Sequence, residues 1–407
     1  MASLRQNNGR GQSAVSGAQV GRLYLSSTEL ARQSDAIVLQ RSLSLKSVIC
    51  TTSSFSQSAR SSPELQEVNQ IGTGRRGTVF EVVGKPYVFK KENPVKDERP
   101  SPFGREYDLA HKYDIRREYE THCDVSKAFE EYRSITHCLL RVPTPYKFIS
   151  QTQDDVFWDE VFPKIPQDHR TRGDLFTMER ILPLPKVVRK ALITHLYARN
   201  LGASQVQSLL NDPVNKHCLA GVNIASPFNG PPKYNKLAPL QDFPLHFSTF
   251  RNLGINIATL AQEIGKAFAT LHWGAATTGI DVKFALGTST IEEERALAEG
   301  GLDFQYREVG LYLLDFSQCK PIDLAKGRQL VYNELQDSLL GSRFIPFYLY
   351  CPEFVAFKNA YIDAGNAILS AKNLTDKFNA EEFIKRYEYM AEGYLEMATE
   401  ASIDQEW

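Results

Sequence analysis

The chain has 407 residues, 47 Lys and Arg against 48 Asp and Glu, and a formal net charge of −1. At roughly 150 residues per domain, this length suggests two or three domains, or one large two-part domain with a tail. An apolar content of 42% excludes wholesale disorder. Near-zero charge argues against a protein built to coat nucleic acid, which needs surplus Lys and Arg. No apolar run reaches the roughly 18 residues that signal a membrane span. Six cysteines without a Cys-x-x-Cys pair do not read as a secreted disulfide framework, so reduced thiols and an intracellular site, cytoplasmic or nuclear, are expected.

Residues 1–62 hold fifteen Ser and seven Arg or Lys, but only two acids, Glu29 and Asp35. The local charge is therefore about +5, and the remainder carries about −6. This composition predicts a disordered basic tail over residues 1–65, with a short apolar element only at 37–45. It also matches a mitochondrial transit peptide, which is Arg-rich, Ser-rich and acid-poor. Ser34, Ser42 and Ser61 are candidate phosphate acceptors in that tail.

The next segment, from Gln70, contains Gly72, Gly74 and Gly77 in a G-x-G-x-x-G spacing, with Val79 two residues later. A dinucleotide fold would need a helix directly after the glycines. Here Thr78 to Val83 are β-like, a Gly84-Lys85-Pro86 turn follows, and Tyr87 to Lys90 are β-like again. A strand, glycine loop, strand, turn and strand result, with Lys90 inside the third strand. Tyr113 to Tyr132 read as a helix that offers Glu118, and second Glu120, as a partner for Lys90. A strand over 146–149 and another over 175–181 follow, the latter containing Met178 and ending at Leu182-Pro183-Leu184-Pro185.

This order resembles the protein-kinase fold: a phosphate flap, a strand lysine, its glutamate, and a hinge near Met178. The resemblance implies an α+β, two-lobed architecture. A small β-rich lobe would span 66–181. A larger helical lobe would span 182–400, with an insertion after the hinge near 186–250. A helix is predicted over Lys186–Arg199 and a buried one over Leu253–Leu271, ending in Leu271-His272. A strand from Asp281 to Leu286 and another from Val309 to Leu314 lead to Asp315-Phe316. Helices are predicted over 330–340, 353–371 and 380–398.

The resemblance implies ATP with Mg²⁺, the metal held by Asp281 and Asp315. Gly72, Gly74, Gly77, Val79, Lys90, Glu118 and Met178 would form the nucleotide site. Kinases place an acid two residues after the His, where this chain has Gly274, and Ser317 stands where a glycine would follow Asp315-Phe316. Asp281, the first carboxylate after His272, is either a catalytic base displaced by a longer loop or the replacement for a metal-binding Asn, which leaves no base; the strand that follows it directly favours the second.

The chain also resembles a fungal family known only as a domain of unknown function, some of whose members are called zinc-finger proteins. Glu118-Tyr119 with His122 and Val125, Leu271-His272-Trp273, Asp281 to Gly287, and Leu313 to Cys319 carry that resemblance, over residues 70–380. The pairs His122-Cys123, His137-Cys138 and His217-Cys218 lack zinc-finger spacing, so zinc is not expected. Three functions follow as expectations: a nucleotide-binding, catalytically impaired kinase homologue acting as regulator or scaffold; an active phosphotransferase on an unknown hydroxyl; or an interaction module for an unknown protein partner without nucleotide.

Overall fold

The computed structural model describes residues 22–52, 67–74, 77–93, 114–197, 201–225, 240–241, 243–291, 304–340, 342, 345 and 349–403. Its first elements lie where disorder was expected. Strands β1 (Leu23–Ser26) and β2 (Ser47–Thr52) are parallel neighbours, connected through helices α1 (Ser27–Leu30) and α2 (Asp35–Ser42). Leu25, Leu30, Val38, Leu39, Val48 and Ile49 are buried. The disordered tail over 1–65 is thus corrected for residues 22–52. A mean over a Ser-rich stretch conceals apolar residues spaced to cover one face. Ser42 is itself buried. Residues 1–21 and 53–66, Ser61 included, lie outside the described residues.

The glycine meander forms as its local signals dictate. β3 (Val68–Thr73), β4 (Gly77–Val82) and β5 (Tyr87–Glu92) are successive antiparallel strands. The Lys85 amide donates to the Val82 carbonyl at 3.0 Å to close the β4–β5 turn, where Gly84 has φ +84°. Helix α3 (Ile115–Thr136) begins at Asp114, whose carboxylate accepts from the amides of Arg116 and Arg117. β6 (Pro145–Ile149), α4 (Asp155–Val161) and β7 (Leu175–Glu179) complete a sheet ordered β3-β4-β5-β7-β6. Phe80, Phe89, Trp158, Ile165 and Leu175 form its separate core. The Trp158 indole donates to the Ser150 carbonyl at 2.9 Å, so its one polar atom is satisfied.

The chain then leaves this sheet through α5 (Lys186–Leu192), which continues as a π-helical turn over Ile193–Tyr197, and α6 (Ala203–Asn211). β8 (Ala220–Asn223) and β9 (Phe243–His246) follow, then α7 (Phe247–Asn252) and α8 (Ile257–Ala269). β10 (Lys283–Ile291) and β11 (Phe304–Leu314) form a long antiparallel pair. α9 (Arg328–Leu340), α10 (Pro352–Ala371) and α11 (Ala380–Ile403) close the fold. The second sheet is ordered β1-β2-β11-β10-β8-β9.

The fold is therefore mixed α and β. The described part after residue 182 is chiefly helical, and its four strands, β8 to β11, join β1 and β2 in the six-stranded sheet. The segment 186–250, expected as an insertion, is built into the sheet: β8 pairs with β10 and buries Ala220 and Val222, and β9 buries Phe243 and Leu245. Four-residue strands are too short for a period-2 signal to stand out.

The helix expected over Leu253–Leu271 is broken at Gly254, which has φ +67°. It restarts at Asn256, whose side chain accepts from the Thr259 amide at 3.4 Å. α8 packs on α10 so closely that a Cβ on Gly265 would run into the Phe357 carbonyl. Isolated bridges tie segments flanking the first sheet to the second: Arg141, before β6, to Tyr312 on β11, and Leu182, after β7, to Thr288 on β10. No described helix is long and apolar enough to cross a membrane.

Candidate functional site

The site begins at the glycine turn between β3 and β4. The Gly74 amide donates to the Gly77 carbonyl at 2.8 Å. Asn93 anchors the turn, donating to the Gly74 carbonyl at 3.0 Å and accepting from the Thr78 hydroxyl at 2.6 Å. The β4–β5 register sets Val79 opposite Lys90 and Gly77 opposite Glu92. Gly77 is then a diagonal neighbour of Lys90. A Cβ at Gly77 would lie 3.0 Å from Lys90 Cε and 3.1 Å from the Lys91 carbonyl. The third glycine thus leaves room for the Lys90 stem beside β4.

Lys90 is buried, and its Nζ lies 2.6 Å from Glu118 Oε1 and 3.1 Å from Asp315 Oδ1. Burial works against the ammonium, but the two carboxylates outweigh it and raise its pKa to about 12. Glu118 points inward from α3 whereas Glu120 is exposed, which decides between the two candidates. One helical turn on, His122 faces the same way. Its Nε2 lies 2.6 Å from the Pro143 carbonyl, and its ring packs 4.9 Å from that of Phe316. Burial lowers the His122 pKa to about 4, and Lys90 adds to that, so the ring is neutral near pH 7. Phe316, 2% exposed, thus pins the turn after β11 against α3.

The β10–β11 pair brings its open end to the same place. Lys283 sits opposite Leu314, so Asp281 and Asp315 emerge side by side at that end. Both have left-handed backbones, φ +57° for Asp281 and +66° for Asp315. That conformation costs a non-glycine residue about 1 kcal/mol and recurs where side chains must be aimed. Lys283 Nζ lies 3.0 Å from Asp315 Oδ2. Burial works against the Asp315 charge, but Lys90 and Lys283 outweigh it and hold the carboxyl well below the usual range. A cavity of about 370 Å³ opens here, lined by Gly74, Gly77, Lys90, Ile280, Asp281, Lys283, Asp315, Ser317 and Gln318.

The turn after α8 faces elsewhere. Thr270–Gly274 is π-helical, and His272 is wholly buried. Its Nδ1 lies 2.8 Å from the Tyr361 hydroxyl and its Nε2 3.1 Å from the Ser338 hydroxyl. Burial lowers its pKa to about 3. A Cβ on Gly274 would meet Tyr132 Cδ2 at 3.1 Å and Ala128 Cβ at 3.4 Å, both on α3. An acid at position 274 would press on a helix instead of reaching the cavity. Burial and then the Asp315, Glu118 and Asp281 charges push the Cys319 thiol well up, which keeps it from being a nucleophilic thiolate.

Of the residues singled out in the sequence, Gly74, Gly77, Lys90, Asp281 and Asp315 line one cavity, and Glu118 touches it through Lys90. Gly72, Val79 and Met178 do not line it. Three backbone amides near Met178 are already engaged: Glu179 donates to Thr144, Arg180 to Pro86 and Leu182 to Thr288. Sequence reasoning missed Ile280, Lys283, Ser317 and Gln318 in the lining. It also missed Gln241, whose side-chain amide donates to the Ile71 carbonyl on β3.

A phosphate-bearing ligand suits two lysines and a glycine turn. Asp315 as it stands does not suit a divalent cation, because each of its oxygens already carries an ammonium. Among the described residues no group of three or more His, Cys, Asp or Glu could hold a metal ion. The chain matches no family model and no curated protein sequence.

Proposed function

We propose that the chain is a kinase-like, two-lobed protein that binds a nucleotide in this cavity and acts as a regulator or scaffold with impaired phosphotransfer. The observation that carries this reading is Lys90, seated beside Gly77 and held by Glu118 on one side and Asp315 on the other. Buried ion pairs of this kind contribute little stability over apolar packing, so a chain that keeps one uses it for something else. A lysine aimed by two carboxylates is positioned to receive phosphate oxygens, and the cavity volume lies at the lower end of ligand sites. Lost chemistry follows from position 274, where a glycine faces α3.

Asp281 supports the second reading, an active phosphotransferase, since it is a carboxylate in the cavity lining and a candidate base for a hydroxyl acceptor. Thermal-shift titration with ATP, in EDTA and in Mg²⁺, tests both, because a ligand that binds the native state raises its melting temperature. No shift at millimolar ATP in either buffer removes both readings and leaves the interaction module. With a shift in hand, equal background ATP turnover in wild type and Asp281→Ala rejects the active enzyme.

A further inference from the structure

The position of Lys283 bears on how such a ligand is held. It stands at the start of β10, directly across from Leu314. The register therefore delivers its ammonium to the residue after Leu314, which is Asp315. Its Nζ is 3.0 Å from Oδ2, while Lys90 Nζ is 3.1 Å from Oδ1. Both oxygens of the carboxylate that would bind a divalent cation thus carry a positive partner. Mg²⁺ demands oxygen ligands at about 2.0–2.1 Å in near-octahedral order and dehydrates reluctantly. At Asp315 it would have to share an oxygen with an ammonium and face a second one across the same carboxylate. Like charges that close repel, most strongly where water is scarce.

We infer that the cavity takes its polyphosphate ligand without a divalent cation, Lys283 occupying the place on Asp315 that the cation would fill. This rests on the nucleotide reading and narrows it. Lys283 is the more accessible of the two lysines. Its side chain is 52% exposed, against 9% for Lys90, so its ammonium, with three donors, can keep Asp315 and still offer a proton to a phosphate oxygen beside Lys90. Holding the carboxylate and neutralising phosphate are the two tasks a bridging metal performs together in metal-dependent phosphate sites.

The test is isothermal titration of the full chain with ATP, once in EDTA and once in excess Mg²⁺. The inference expects affinities within about threefold of each other, or tighter in EDTA. Binding at least about tenfold tighter in Mg²⁺ would overturn it while leaving nucleotide binding intact. Absence of binding in both buffers removes the nucleotide reading and this inference with it. Lys283→Met separates the role of the side chain. It should weaken ATP binding in EDTA by about tenfold or more and make the remaining binding Mg²⁺-dependent. Lys283→Arg, which keeps the charge, should bind in EDTA. If Lys283→Met binds ATP in EDTA as wild type does, the assignment to Lys283 is wrong. Both substitutions fall on a half-exposed side chain, and tryptophan fluorescence of the folded chain checks that each variant is native.

Discussion

Glu118→Gln is the sharpest perturbation of the buried ion cluster. The substitution keeps the shape and an oxygen acceptor but removes the charge 2.6 Å from Lys90 Nζ. Two routes give the expected loss. Raising the Lys90 pKa from 10.5 to about 12 corresponds to roughly 2 kcal/mol favouring the charged form, shared between two carboxylates after the burial penalty. Breaking a buried pair outright costs about 3–5 kcal/mol. Asp315 remains at 3.1 Å, so the loss should fall below that range, at about 2 kcal/mol. Urea unfolding followed by tryptophan fluorescence reads it, since Trp158 and Trp273 are fully buried and report on the smaller and larger cores. Lys90→Met combined with Glu118→Gln should cost less than the two single changes together, by about 1 kcal/mol or more. A Glu118→Gln loss under about 0.5 kcal/mol, with an additive double variant, would refute the view that this pair fixes Lys90. The sign with pH is definite: the stabilisation from the raised Lys90 pKa is complete below 10.5 and is lost as pH rises through about 12.

Other outcomes follow from the same contacts. Gly265→Ala should destabilise by about 2–3 kcal/mol, because the new methyl meets the Phe357 carbonyl and can be accommodated only by moving α10; unchanged urea unfolding would contradict the close crossing. His122 and His272 have folded pKa values lowered to about 4 and about 3 from 6.5. The stability they supply is complete above pH 6.5 and falls as pH drops through the interval to 4 and 3, by up to about 1.4 kcal/mol per pH unit for each. Unfolding midpoints that stay flat between pH 7 and 5 would contradict their neutral burial. With the Glu179, Arg180 and Leu182 amides engaged internally, few backbone donors remain to read a base. ATP and GTP should therefore bind within about threefold of each other by competition, and a preference above about tenfold would show that a base site exists.

The glycine meander was legible because its signals are local. Gly72, Gly74 and Gly77 punctuate β-like runs, and Gly84 with Pro86 marks the return. Glu118 was legible over Glu120 because it shares a helical face with Ile115, His122 and Val125, all buried. Lys283 was not, since its importance depends on a partner delivered by the register of a long strand pair. The direction of Gly274 was hidden for a different reason. A π-helical turn adds a residue to the helix repeat, so the face expected from a 3.6-residue period rotates away. β1, β2, β8 and β9 were obscured by length and composition. Four to six residues beside Ser-rich or Pro-rich segments carry too little pattern of their own, and the sheet that uses them is assembled from distant parts of the chain.

The central claim is that Lys90, held by Glu118 and Asp315, receives the phosphates of a nucleotide. Equilibrium dialysis with labelled ATP, comparing wild type with Lys90→Met, tests it most directly. The account predicts saturable binding at one site per chain in the wild type and at least about tenfold weaker binding in the variant, a difference of about 1.4 kcal/mol. Equal binding by both proteins, or none by the wild type, would contradict it.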